Sequence, residues 1–326
     1  MRCASLPAAT LIAHTLGCTN TPAPPESLTL VERAPTQVVP TALTSPALDD
    51  GFGSAVAVKE GRVWIGAPHG EEARVYLWAD DGMTEALTGT GRLGAHISST
   101  PAGLLISAPL DDTVVDETGM PLHTGPSGMG IALSSAGDVA WAEGWRAADG
   151  TEGTSPGRPT ALHRNKGQLA VGMAHGPVAL SIGEQQLIRP SVGDEAGFSL
   201  SSAEVDGRDA WILGAPAAGR VLAVDANDLS VIREWTGTGR FGHALVVTDV
   251  DRDGTQDLVV GAPYATTSGE VVWFSQFSAT PTTIPIEAPE AEGAGTAIAT
   301  DGTQLVIGAP GGPTVAGKAI VVSLPL

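Results

Sequence analysis

Cysteine is almost missing from this chain. Of 326 residues only Cys3 and Cys18 are cysteines, so residues 19–326 hold no disulfide, no thiolate metal site and no thiol nucleophile. Aromatic residues make up 4%, which leaves the core to Val, Ala, Leu and Ile within a hydrophobic content of 42%. Positive charge is scarce as well: 17 Lys and Arg face 36 Asp and Glu, for a net charge of −19, and the only lysines are Lys59, Lys166 and Lys318. So acidic a surface repels phosphate backbones, which excludes nucleic acid as a partner, and it suits solubility in an extracellular setting. The apolar stretch from Ala8 to Leu16 is too short to span a bilayer as a mature helix. Gly and Pro are abundant at 42 and 24 residues, and they punctuate almost every stretch, so long helices are not expected.

The first residues, MRCASLPAATLIAHTLGC, carry Arg2 ahead of a short apolar stretch from Ala8 to Leu16, the layout of a secretory signal over residues 1–18. Its end, Thr15-Leu16-Gly17-Cys18, resembles a bacterial lipobox, and that resemblance implies a lipidated Cys18 as the membrane attachment. TNTPAPPESLT (19–29) then reads as an unfolded tether within residues 19–44. An exported protein, lipid-anchored at the bacterial outer membrane or cell surface, is the expectation. The alternatives are secretion through an ordinary signal cut elsewhere and a disordered cytoplasmic start.

An internal repeat organises the remainder. GFGSAVAVKEGRVWIGAP (51–68) recurs at 92–109, 197–216, 240–263 and 293–310, with weaker copies at 128–144 and 158–174. The closing Gly-Ala-Pro, or its counterpart, begins at 66, 107, 143, 172, 214, 261 and 308, a mean spacing of about 40 residues. That is the length of one four-stranded propeller blade. Each unit reads as an alternating strand, a polar turn, a second apolar strand stopped by Gly-Ala-Pro, and a third strand with a Gly-x-Val start such as 219–225. Trp64, Trp141, Trp211 and Trp273 fall in these strands and are expected in the packing. The chain ends soon after the third strand of the last unit, so a fourth strand from the N-terminal side, at 27–39, is expected to close the ring.

These motifs resemble FG-GAP repeat proteins, the group that includes the integrin α-chain head. The resemblance implies an all-β fold, a seven-bladed β-propeller built from FG-GAP repeats over residues 45–326. Whether the two weaker units make full blades is left open by the sequence.

The sixth unit carries Asp249-x-Asp251-x-Asp253-Gly254-x-x-Asp257 between its first two strands. Carboxylates at alternate positions of a tight turn converge, and hard oxygen ligands in a flexible loop suit Ca²⁺. The FG-GAP resemblance implies one calcium site with ligands Asp249, Asp251, Asp253, Thr255 through its backbone carbonyl, and Asp257. The loops at 204–209 and 300–304 keep only remnants of the pattern.

No catalytic set stands out. The seven histidines form no His-x-x-x-His or His-Glu-x-x-His motif, and Gly-x-Ser-x-Gly is absent. His96 and His243, near the same repeat position, are expected to pack at strand starts. The stretches 110–127 and 145–157 read as long polar loops on the rim. The expected function is a cell-surface, calcium-stabilised module that presents rim loops to a protein or a surface glycan. The alternatives are a polysaccharide hydrolase or lyase, marked by an acidic cluster in the central channel, and a purely structural envelope lipoprotein.

Overall fold

Each repeat becomes one four-stranded antiparallel sheet. The computed structural model describes residues 40–325 apart from 71, 81, 174–177, 183, 189–194 and 287–289, and these residues form seven such sheets. The first runs Ala55–Lys59, Arg62–Ala67, Ala73–Ala79 and Gly82–Gly89, each strand pairing with the next. The two weak units are complete: one sheet is built from Ala132–Leu133, Val139–Trp141, Gly144–Arg146 and Glu152–Thr154, the other from Pro159–Asn165, Gln168–Met173, Val178–Ile182 and Glu184–Ile188.

The first strands of the sheets touch their neighbours around a ring, and that of the first sheet touches Ala297–Thr300 of the seventh. Between the second and third sheets the contact passes through Leu105, Val114, Met129 and Val139. The core is therefore a circle of inter-sheet clusters. Phe241, Leu258 and Phe274 pack against Ile212 and Trp235 of the preceding sheet, and Phe52, Val63 and Ile65 against Val306 and Val321 of the seventh. Second strands such as Asp257–Ala262 are buried at every position, which is why they read as unbroken apolar runs. Trp64 and Trp211 are buried, as their strand positions implied.

The repeat's two glycine positions meet across this ring. A Cβ on Gly261 would lie 2.2 Å from the carbonyl oxygen of Gly295 in the next sheet, and one on Gly214 would lie 2.1 Å from that of Gly242. The Gly of Gly-Ala-Pro is thus fixed by the backbone of the following Phe-Gly turn, while the Pro comes just after the strand's last ladder residue.

Ring closure comes from the N-terminal side. Pro40–Thr44 pairs antiparallel with Lys318–Ser323 as the outer strand of the seventh sheet, from Pro40 opposite Val322 to Thr44 opposite Lys318. The segment 27–39 expected in this role, the tether and Cys18 all lie outside the described residues. The expected rim loops at 110–127 and 145–157 are corrected: they hold the third and fourth strands of their sheets, Thr113–Val115 with Pro121–Thr124, and Gly144–Arg146 with Glu152–Thr154. Strands of three or four residues are too short for an alternating pattern to show.

Candidate metal centre

The register of the sixth sheet fixes where the acidic loop lies. Ala244 faces Gly261 at one end of the hairpin and Thr248 faces Asp257 at the other. The Asp249–Asp257 loop therefore stands at the end of the sheet opposite the segment that follows Gly-Ala-Pro.

Backbone donors shape the loop around its own carboxylates. Asp253 N–H donates to Asp249 Oδ1 at 3.1 Å and to Asp251 Oδ1 at 3.2 Å, and Gly254 N–H donates to Asp249 Oδ2 at 2.9 Å. Arg252 and Gly254 adopt left-handed backbone at φ 57° and 90°, which turns the chain sharply enough for these bonds. Asp257 opens the second strand and is 0% exposed. Its carboxylate accepts the N–H of Val250 at 2.8 Å and that of Gln276 at 2.7 Å.

Asp249, Asp251 and Asp257 each bring a carboxylate oxygen within 4.8 Å of the others. Asp253 is not in this group: its Oδ2 accepts the side-chain amide of Gln276 at 2.6 Å, and its Oδ1 accepts the N–H of Thr255 at 2.7 Å. Thr255 is exposed in the same turn. The electrostatics match a cation site. Burial raises the Asp257 carboxyl above the ordinary carboxylate value, with the neighbouring charges of Asp251 and Asp253 adding to it against the two N–H donors. The Gln276 amide and the Thr255 N–H lower Asp253. A buried carboxylate facing like charges, with no cationic side chain on it among the described residues, is the donor set that a hard divalent ion neutralises. The Asp triad is thus fit to bind a metal such as Ca²⁺.

Gln276 has no local sequence signal. It sits in the turn after the third strand, at φ 50°, and only the fold brings it under the loop. The remnant loops have partners for their acids within the protein. Asp206 takes two bonds from Arg233, at 2.6 and 2.8 Å, and Asp209 pairs with Lys166 at 2.9 Å. Asp301 accepts the N–H groups of Thr303 and Gln304 in its own turn and that of Gly61 in the first sheet.

Comparison with known proteins agrees with this geometry. A family model described as the FG-GAP repeat matches residues 241–274, the segment that contains the acidic loop. Integrin alpha-8 of Mus musculus is 30% identical over 95 residues, which is 26% of this chain and 9% of that protein. Phosphatidylinositol-glycan-specific phospholipase D of Mus musculus is 34% identical over 89 residues, 21% of this chain and 11% of that protein. The matched region spans about a tenth of the length of these relatives. Among solved structures, virginiamycin B lyase from Staphylococcus aureus aligns with a TM-score of 0.66 at 14% identity, covering 89% of this chain and 100% of that one. The WD40 β-propeller domain of Doa1 aligns at 0.62 and 14% identity, covering 87% and 95%. At such identities the likeness shows the fold alone. The chain is an all-β propeller that contains an FG-GAP repeat and is distantly related, over part of its length, to integrin alpha chains and to the phospholipase.

Proposed function

We propose that this protein is a seven-bladed, calcium-stabilised binding module, held at the cell surface through a lipidated Cys18 or secreted, that presents one rim of its ring to a protein or glycan. The convergence of Asp249, Asp251 and Asp257 in the segment matched by the FG-GAP model carries the calcium part of this reading. The triad holds the ion, with Asp253 and the Thr255 carbonyl completing the set. Bound calcium neutralises the clustered carboxylates and pins the hairpin, and it does so on the rim away from the proposed binding face. There, Leu110 and Tyr264 directly follow Gly-Ala-Pro motifs or their counterparts and are 71% and 68% exposed. Large apolar side chains held in water by a rigid scaffold favour a partner surface.

Glycan-array and cell-surface binding by the full chain, with and without calcium, tests the reading. Binding that is lost in Leu110→Glu and Tyr264→Glu, at an unchanged melting temperature, supports it. Turnover of an arrayed polysaccharide replaces it with an enzyme. Binding that survives both variants moves the face elsewhere.

A further inference from the structure

The inner strands of all seven sheets line a central cavity of about 770 Å³. Its charge is the reverse of the chain's. Acidic residues outnumber Lys and Arg 36 to 17 overall, yet the described lining includes Arg92, Arg158, His96 and His243 and no Asp or Glu. The cations belong to the end where the first strands begin: Arg92 precedes Ile97–Thr100 and Arg158 precedes Pro159–Asn165. This is the rim opposite the acidic loop.

The cations at this mouth are not equivalent. Arg240 is neutralised in place: it pairs with Glu195 at 2.6 Å and lies over the Phe198 ring at 5.5 Å. Arg92 occupies the same turn position as Arg240, with φ 64° against 62°. Its partner, however, is a ring nitrogen, His69 Nε2 at 2.9 Å, and not a carboxylate. That bond requires an unprotonated Nε2, and both burial and the guanidinium itself lower His69. Arg158 forms no hydrogen bond or ion pair with any described residue. Arg92 and Arg158 also share the wall of an adjoining cavity of about 290 Å³. The carboxylate there, Asp112, is engaged by the Gly128 N–H at 2.6 Å. Both guanidinium groups act on His96, which opens to the channel; its enclosure there and then the two cations push it down to about 4, so the ring is a neutral hydrogen-bonding group near pH 7.

We infer that this mouth is a binding site for a small organic anion, its carboxylate or phosphate held between Arg92 and Arg158 and its apolar part against the aliphatic channel wall. The guanidinium fork matches the two oxygens of such a group, and the wall below it includes Ile131, Leu133 and Leu162. Two arginines without a carboxylate partner among the described residues, kept beside a cavity in so acidic a chain, are placed for an anion from outside the protein. The site stands independently of the calcium loop and of the rim partner.

Titration calorimetry of the full chain at low salt tests this, with inorganic phosphate, acetate and hexanoate as probes. Saturable binding is expected, with hexanoate at least about tenfold tighter than acetate because its added methylenes meet the channel wall. Arg92→Gln and Arg158→Gln are each expected to weaken hexanoate about tenfold or more, and the double variant to abolish its binding. Arg62→Gln removes the same charge at the far end of the first sheet and should leave the affinity unchanged. Both arginines of the site are exposed, so melting curves of the variants are expected to match the native chain. No saturable binding of any probe, equal affinity for acetate and hexanoate, or hexanoate binding untouched by the double variant each overturns the assignment.

Discussion

Two buried aspartates show how this fold handles the same electrostatic problem in two ways. Asp138 in the third sheet and Asp257 in the sixth both sit where the chain enters a second strand, and both are 0% exposed. Asp138 is met by a cation built into the neighbouring sheet. Arg164 Nη2 donates to its Oδ1 at 2.7 Å, and Ser134 Oγ and Ala148 N–H fill other acceptor positions at 2.6 and 3.0 Å. Desolvation acts to raise its carboxyl, but the bonds from Arg164, Ser134 and Ala148 outweigh it and hold the group below the ordinary value. Among the described residues, Asp257 has only backbone donors and like-charged neighbours, and its carboxyl is raised. The weak repeat at 128–144 is met by a cation from the next sheet, whereas the strong repeat at 240–263 holds a carboxylate cluster fit for a metal ion. A degenerate copy of the motif forms as complete a sheet as a good one, and its buried aspartate is paired by a side chain from the next sheet.

The largest effect is expected from removing the built-in cation. Arg164→Met leaves a charged Asp138 buried without its partner and should cost about 3 kcal/mol by denaturant unfolding. Asp138→Asn in the same chain should recover much of that loss; if it does not, Arg164 matters through packing and the comparison fails. Supplying the exchangeable cation comes next. Calcium at a hundredfold excess over its Kd should stabilise the native chain by about 2.7 kcal/mol. Asp251→Ala should abolish that response in melting curves, while Arg164→Met should keep it.

A third effect separates the two sites by pH. Because the folded Asp138 carboxyl lies below its unfolded value, its stabilisation is fully present above about pH 4 and is lost as pH falls through the lowered folded value. Acid titration of stability should lose this limb in Asp138→Asn. The smallest effect is expected from Asp251→Asn without metal. It keeps the oxygen that accepts Asp253 N–H but removes a charge near Asp257, so metal-free stability should rise by about 0.5 kcal/mol, and calcium should no longer raise it as in the native chain.

Much of this was legible in the chain. The sheets of the five strong copies follow from a motif whose parts are close in sequence, namely alternation, polar turn, apolar run and Gly-Ala-Pro, while those of the copies at 128–144 and 158–174 were left open by the sequence and are complete in the fold. The spacing of Asp249, Asp251 and Asp257 made a cation loop readable, but it did not show that Asp253 turns to Gln276 instead of joining them. What escaped depends on distant partners. Gln276 reaches Asp253 and Asp257 from beyond the third strand. Arg164 reaches Asp138 from the next sheet. His96 and His243, expected to pack at strand starts, line the channel, where His243 also rests on Phe198 with ring centroids 4.7 Å apart.

The sequence by itself determined the repeat and the acidic hairpin, since each is written within one unit and needs only local sterics and hydrophobic alternation. Tertiary structure alone decided the closing strand at Pro40–Thr44, the contact between glycines of adjacent sheets, the rescue of Asp138 and the cationic mouth of an acidic ring. Those features arise when residues far apart in the chain become neighbours, and burial and charge pairing act between neighbours in space.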